Sequence, residues 1–248
     1  MDMSCHESCI IHNFDRFITL TEDEKALLSY LEKDPVQIKK KERVWEAGTL
    51  HEQLYTLKSG WAYSYNHSGT GDIKILEVFL PGDIIGLREF TYKHRLSGVR
   101  MLTGGVLCPF PIQRVLDIFD RSQVLTAVLF AASSRQQALI TERMLNLMQC
   151  SARTKVAHFI MEIHMRLKRI NPSIGHTFAF PISQQMIGEM LGISTVHVSR
   201  TLTDIEQDGL LQKHRRTIEI FDMARLIEEA DFKTDYLNDD LGRLLKRG

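Results

Sequence analysis

The sequence predicts an α+β chain: a β-rich N-terminal domain, one long helix, and a C-terminal domain of short helices closed by a hairpin. Three observations carry that prediction. Between Val36 and Ile112, short β-branched and aromatic runs alternate with turn signals. From Ile112 to Asn171 neither glycine nor proline occurs. From Ser183 to Arg200, two short amphipathic segments flank a glycine. A length of 248 residues fits two domains, and 44% hydrophobic residues suffice for two cores.

Residues 14–34 place Phe17, Leu20, Leu27, Leu28 and Leu31 at helical spacing, with Thr21 as N-cap ahead of Glu22-Asp23-Glu24. Cys5 and Cys9 ahead of it, unless they are ligands, read as part of a disordered terminus. Turn signals at Glu46-Ala47-Gly48, Lys58-Ser59-Gly60, Ser68-Gly69-Thr70-Gly71-Asp72, Pro81-Gly82-Asp83 and Gly104-Gly105 then separate strands such as Leu54–Leu57, Trp61–Tyr65 and Ile73–Leu80. Short strands at roughly 8–12-residue spacing predict a barrel or sandwich, and the first domain is set at 14–121. A helix from Ser122 to Met148, within a segment set at 122–150, puts Leu125, Leu129, Ala132, Leu139, Ile140, Met144 and Leu147 on roughly one side. That stripe is either a buried spine or a dimer seam. The expectation is a two-fold homodimer whose seam includes Leu125, Leu129, Leu139, Ile140, Met144 and Leu147. The C-terminal domain is set at 151–222, followed by a polar helical tail, 223–248.

Lysine plus arginine equals aspartate plus glutamate at 31 each, so the net charge is zero. That balance argues against a polycation that coats nucleic acid but leaves room for a local basic footprint. No apolar run approaches the ~20 residues that span a bilayer, so no membrane partner is expected. The N-terminus lacks the apolar stretch of a signal peptide, and Cys5, Cys9, Cys108 and Cys150 are too scattered for a disulfide framework. These features lead to the expectation of a cytoplasmic protein.

The segment Gln184–Arg200 has helix-turn-helix grammar. Ser183 caps the first helix, Gly188 is small where two helices must approach, and Gly192 takes the turn. Ile187, Leu191, Ile193, Val198, Leu202 and Ile205 supply the apolar side, and Ser194 caps the second helix. At 100° per residue, Val198, Leu202 and Ile205 point inward, so Val196, Ser199, Arg200 and Thr203 point outward. Small and hydroxylated side chains around one arginine suit a major-groove reader, because arginine bonds a guanine edge at two points. After Gly209, Leu210-Leu211-Gln212 and Thr217-Ile218-Glu219-Ile220 flank Lys213-His214-Arg215-Arg216, which reads as a hairpin with a basic tip for phosphates. A helical hairpin that docks another protein is the competing interpretation, and the basic hairpin favours double-stranded DNA. The predicted DNA-binding set is Ser183, Gln184, Gln185, Ser194, Thr195, Val196, His197, Ser199, Arg200, Thr203, Lys213, Arg215 and Arg216.

Several motifs carry a family resemblance. Trp45-Glu46-Ala47-Gly48, Leu54-Tyr55-Thr56-Leu57-Lys58-Ser59-Gly60 and Val78-Phe79-Leu80-Pro81-Gly82-Asp83-Ile84-Ile85-Gly86 resemble the β-roll of the CRP/FNR superfamily of bacterial transcription regulators. The long helix and the helix-turn-helix follow in that family's order, so the likeness runs from Phe17 to Phe221. It implies a jelly-roll, cyclic-nucleotide-binding-like sensor domain, a dimerisation helix, and a winged helix-turn-helix that reads two-fold half-sites. RNA polymerase is the further partner it implies. Gly60-Trp61-Ala62 and Val196-His197-Val198-Ser199-Arg200 are similar to one branch of the family. Many members carry a glutamate in the first turn of the recognition helix that accepts from a cytosine amino group. Val196 stands at that place and Arg200 at the matching arginine, so the half-site is expected to differ from TGTGA or TTGAT at the position the glutamate reads.

The resemblance also frames the effector question. Cyclic-AMP-binding members hold ribose and phosphate with a Gly-Glu pair and a later Arg-Ser-Ala. Here the matching residues are Gly86-Leu87 and Arg95-Leu96-Ser97, with Thr141 matched to the base contact. Arg95 could pair with a phosphate, but Leu87 cannot accept from a ribose hydroxyl and the Leu96 side chain cannot donate. A conventional cyclic-AMP site is therefore not expected, and Arg95 and Ser97 otherwise read as solvated loop residues. FNR-type members hold an iron–sulfur cluster with N-terminal cysteines plus one in the β-roll. Cys108 falls at the β-roll position, with Cys9 and Cys5 as N-terminal candidates. A fourth thiolate is missing, and His6, His12 or Asp15 would have to stand in. An iron–sulfur or thiol redox sensor built on Cys5, Cys9 and Cys108 stays open as the alternative, and Cys108 otherwise reads as a small buried hydrophobe. No P-loop, dinucleotide fingerprint, Gly-x-Ser-x-Gly or His-Glu-x-x-His occurs, so the sequence offers no support for an enzyme.

Overall fold

A computed structural model describes residues 8–69, 71–149, 151–237 and 241–245. Cys5, His6 and Cys150 lie outside them. Helix α1 (Cys9–Phe14) starts at Ser8, whose side chain accepts from the Ile11 amide, and it buries Cys9, Ile10 and Phe14. From Ser8 onward, then, the expected unstructured terminus is instead a helix, because its apolar residues share one face. Thr21 caps α2 (Glu22–Ser29) as expected, in a reciprocal capping box with Glu24.

The chain packs as two units. One holds the described residues up to Asn66, residues 78–136 and the end of the chain; the other holds residues 67–77 and 137–237. The strands of the β-rich region are β1 (Val36–Ile38), β2 (Arg43–Trp45), β3 (Gln53–Ser59), β4 (Ala62–His67), β5 (Ile73–Phe79), β6 (Ile84–Ile85), β7 (Gly98–Met101) and β8 (Gly105–Pro111). They form two four-stranded sheets, β1-β8-β3-β6 and β2-β7-β4-β5. Trp45, Leu57, Ala62, Ile85, Val99, Met101 and Leu107 fill one core of this roll. A second core joins Leu54, Ile84, Leu87 and Phe110 to α1, α2, α3 (Gln113–Arg121) and the start of α4 (Gln123–Gln149).

Ser122 accepts from the Leu125 amide at 3.1 Å and so starts α4 where the glycine- and proline-free stretch predicts. The expected seam is corrected in part. Leu125 and Leu129 belong to the roll's own core, and Leu139 is buried within the chain as well. The apolar residues that α4 leaves open are Phe130 (75% exposed), Met144, Leu145 and Met148 (76%). Helices α1–α3 cover the start of the expected stripe, and of its six residues Met144 alone is exposed, with Ile140 and Leu147 half-buried.

In the second unit, α5 (Ala152–Ile170) is capped by Ser151 and buries most of its length. Arg143 of α4 donates to both Glu162 oxygens, at 3.0 and 3.2 Å, and to the Leu76 carbonyl at 2.8 Å; Arg166 reaches Glu162 at 3.3 Å. Burial by itself would raise the Glu162 carboxyl, but Arg143 and Arg166 outweigh it and hold the group below its ordinary range. After α5 come β9 (Thr177–Ala179), α6 (Gln184–Leu191), α7 (Thr195–Gln207), β10 (Leu211–Lys213), β11 (Thr217–Ile220) and α8 (Met223–Glu229), with the strands ordered β10-β11-β9. The tail expected to be polar buries Leu226, Ala230, Phe232 and Leu237, and rings of Phe232 and Tyr236 lie against His158. Its last described element is α9 (Gly242–Leu245), whose Leu245 packs on the roll's second core. No described helix is long and apolar enough to cross a membrane.

Candidate nucleic-acid interface

Two glycines set the angle between α6 and α7. Gly192 ends α6 in the left-handed conformation, at φ 65°. A Cβ on Gly188 would lie 2.6 Å from the Ile193 carbonyl oxygen, so only glycine lets the turn close. Ile187, Leu191, Val198, Leu202 and Ile205 are buried beneath the pair, as the apolar pattern requires. Ser183 and Ser194 cap the two helices by accepting from Met186 and His197 amides, both at 3.2 Å. Each serine keeps its hydroxyl proton for an outside acceptor.

With that side fixed, the first two turns of α7 face solvent. Thr195, Val196, His197, Arg200, Thr203 and Asp204 are exposed, and Ser199 is half-buried. Ser194, Val196, His197, Arg200, Thr201 and Asp204 line one shallow dent. The Arg200 guanidinium has no protein partner among the described residues. Thr203 instead donates to the Ser199 carbonyl one turn back, at 3.1 Å. On α6, Gln184 is half-buried and Gln185 is exposed, its amide donating to Glu189 at 3.0 Å.

β10 and β11 form the expected hairpin, with Lys213 opposite Ile218 and the His214 amide closing onto the Thr217 carbonyl at 2.9 Å. Arg215 and Arg216 are exposed at the tip, and their guanidinium groups have no protein partner among the described residues. Lys213 departs from its expected place at the tip. Its ammonium lies 5.4 Å above the Phe180 ring and donates to the His214 carbonyl, and burial lowers its pKa. Strand alternation turns it to the inner face. Arg153, a cation with no distinguishing sequence signal, pairs with Asp208 at 2.7 Å and Glu229 at 3.0 Å. It ties α5 to the end of α7 and to α8.

The effector residues fall differently from expectation. Leu87 is packed into the roll's second core. Leu96 is exposed, and Thr141 is exposed with its hydroxyl donating to the Gln137 carbonyl. Arg95 and Ser97, expected in a solvated loop, are buried. The Arg95 guanidinium stacks 3.9 Å over Trp45, donates to the Gln53 carbonyl, and approaches Glu89 to 4.0 Å. Ser97 directs both its amide (3.2 Å) and its hydroxyl (2.9 Å) to Glu89. Nη1 and Nε of Arg95, Nε2 of His51 and Oε2 of Glu89 have no hydrogen-bond partner among the described residues. A Cβ on Gly86 would lie 2.8 Å from Arg95 Nη1 and 2.9 Å from Leu54, so these two side-chain ends pack directly on Gly86. These residues do not fit a cyclic nucleotide as they are arranged: Ser97 is turned onto Glu89, Arg95 onto Gln53 and Trp45, and Leu87 offers no acceptor to a ribose hydroxyl. The sequence reading missed Glu89, whose only signal is a carboxylate two residues past Leu87 in the same short turn.

Cys9 and Cys108 are buried. The Cys9 thiol donates to the Lys58 carbonyl at 3.0 Å. Burial pushes the Cys108 thiol up to about 11. Among the described residues, no three histidine, cysteine, aspartate or glutamate side chains are grouped as a metal site.

Comparison with known proteins follows the same division. Residues 35–122 match the cyclic nucleotide-binding domain, and residues 154–229 match the Crp-like helix-turn-helix domain. The chain is 26% identical over 222 residues to the anaerobic regulatory protein of Pasteurella multocida, covering 90% of this chain and 81% of that one. It is 25% identical over 224 residues to the fumarate and nitrate reduction regulatory protein of Vibrio cholerae, covering 90% and 89%. Among solved structures, FixK2 of Bradyrhizobium japonicum has the same fold, with a TM-score of 0.70, 22% identity and coverage of 78% of this chain and 95% of that one. Given both domains in this order and a recognition helix open to solvent, the chain belongs to the CRP/FNR superfamily of DNA-binding bacterial transcription regulators.

Proposed function

We propose that the chain acts in the cytoplasm as a homodimer that lays α7 in the major groove of each half of a two-fold operator, holds phosphates with Arg215 and Arg216, and engages RNA polymerase. The observation that carries this reading is Arg200, exposed and without a protein partner among the described residues on a helix whose opposite side is buried. The open face of α4, with Phe130, Met144, Leu145 and Met148, supports the dimer. Ser183, Gln184, Gln185, Ser194, Thr195, His197, Ser199 and Thr203 surround the reading residues as hydrogen-bonding groups for phosphate or base edges.

The test separates two classes of arginine. Arg200→Ala should cut affinity for the operator by about ten- to a hundredfold while leaving scrambled DNA nearly unchanged, the scale of a bidentate guanine contact. Arg215→Ala or Arg216→Ala should weaken binding to all DNA and reduce the salt dependence by about one unit of slope each. Equal losses on operator and scrambled duplex for Arg200→Ala would make it a phosphate clamp and overturn the assignment.

DNA binding is expected to need no cyclic nucleotide, because Glu89 takes both Ser97 donors, Arg95 is turned onto Gln53 and Trp45, and Leu87 cannot accept from a ribose hydroxyl. Calorimetric titration should show no cyclic-AMP binding in the micromolar range; a micromolar Kd would contradict it. A second reading, redox control, is favoured by the names of the relatives above and by Cys9 and Cys108, with Cys5 as third candidate. Anaerobically purified protein that is brown and contains iron and sulfide, and loses both in Cys108→Ala, would establish it.

A further inference from the structure

Val196 is out of place on α7. The helix's other large apolar residues, Val198, Leu202 and Ile205, are all buried, whereas Val196 is 61% exposed in the first turn. It contributes little to the core beneath, yet it sits in the dent that also contains Arg200. Val196 and Arg200 are four residues apart, so they are neighbours on one face. A valine in a helix has essentially one side-chain rotamer, so its two methyl groups are held in place before any contact forms.

We propose that Val196 is a specificity-determining residue that recognises the 5-methyl group of a pyrimidine, which in unmodified DNA is thymine. This rests on the reading of α7 as the major-groove helix. A valine side chain neither donates nor accepts hydrogen bonds, and the thymine methyl is the one apolar feature that a base pair presents in the major groove. Four residues of helix rise about 6 Å, against about 3.4 Å per base step, which puts this thymine within about two steps of the guanine read by Arg200. The same chemistry makes the contact sensitive to cytosine modification, because 5-methylcytosine carries the same methyl group in the groove. An operator read in this way discriminates thymine from uracil and 5-methylcytosine from cytosine, distinctions that no hydrogen bond at these bases makes.

The experiment uses the full-length protein and an operator selected by it from random duplex DNA. Each thymine of the half-site is replaced in turn by deoxyuridine, which removes only the methyl. At one position the wild type should lose about fourfold in affinity per half-site, the scale of burying one methyl group. Val196→Ala should show a much smaller loss there, and Val196→Glu should lose methyl dependence and prefer cytosine, whose amino group a carboxylate can accept from. Placing 5-methylcytosine at that position should bind the wild type more tightly than cytosine. Uniform indifference of the wild type to deoxyuridine, or equal losses in wild type and Val196→Ala, would overturn the proposal. If Arg200→Ala also loses affinity equally on operator and scrambled DNA, the placement of α7 fails; if its loss is confined to the operator, only the role of Val196 does.

Discussion

Glu162 shows how much one side chain can carry. It is buried and holds two arginines, Arg143 from α4 and Arg166 from its own helix. Replacing it with alanine would remove the carboxylate that both buried arginines contact, and breaking a buried ion pair from one side costs about 3–5 kcal/mol. Glu162→Ala should therefore lower the Tm sharply in a thermal melt, and a melt unchanged from wild type would show that the network adds nothing. The pH dependence has a definite sign. A carboxyl held below its ordinary range gives stability that is present above its unfolded pKa and is lost as pH falls through the folded value. Acid should thus destabilise wild type more than Glu162→Ala. Glu162 and Arg166 are neighbours by their i,i+4 spacing on α5, but Arg143 joins them only when α4 and α5 pack, which local period does not reveal. Arg200 was legible for the opposite reason: its position on an amphipathic helix follows from local period and needs no tertiary contact.

Among elements, the helix-turn-helix was the most legible, since caps, glycines and apolar residues all sit within one short stretch. Gly188 is its most sensitive point. Gly188→Ala would bring a methyl group to 2.6 Å from the Ile193 carbonyl, where backbone has to move. The variant should lose operator binding while the β-rich domain keeps its strand circular dichroism; operator affinity within about twofold of wild type would mean the turn has slack that the geometry does not show. The hairpin was equally legible in its strands, yet Lys213 was misplaced by one position of strand alternation, which sends a side chain to the opposite face. The β-roll was readable as a set of strands between turns. Its pairing order was not, because register between distant strands such as β1 and β8 is settled by packing. The effector residues illustrate the same limit: Leu87 and Arg95 could be matched by position, whereas the inward turn of Arg95 onto Trp45 and toward Glu89 needed the fold.

For the whole molecule, two domains and a connecting helix in one order already pointed to a DNA-binding regulator. What sequence periodicity misassigned was which face of α4 the chain covers by itself. Leu125 and Leu129 are internal, and Phe130, Met144 and Met148 are the open side. A dimer closed over that side presents two copies of α7, and two-fold symmetry in the protein requires two-fold symmetry in its site. Selection of random duplex DNA by the purified full-length protein, followed by sequencing of the bound fragments, tests this most directly. The bound fragments should share one enriched sequence that is an inverted repeat, with half-sites centred about one helical turn, roughly 10–10.5 base pairs, apart or a multiple of it. Fragments with no enriched sequence, or with a single unrepeated site, would contradict it.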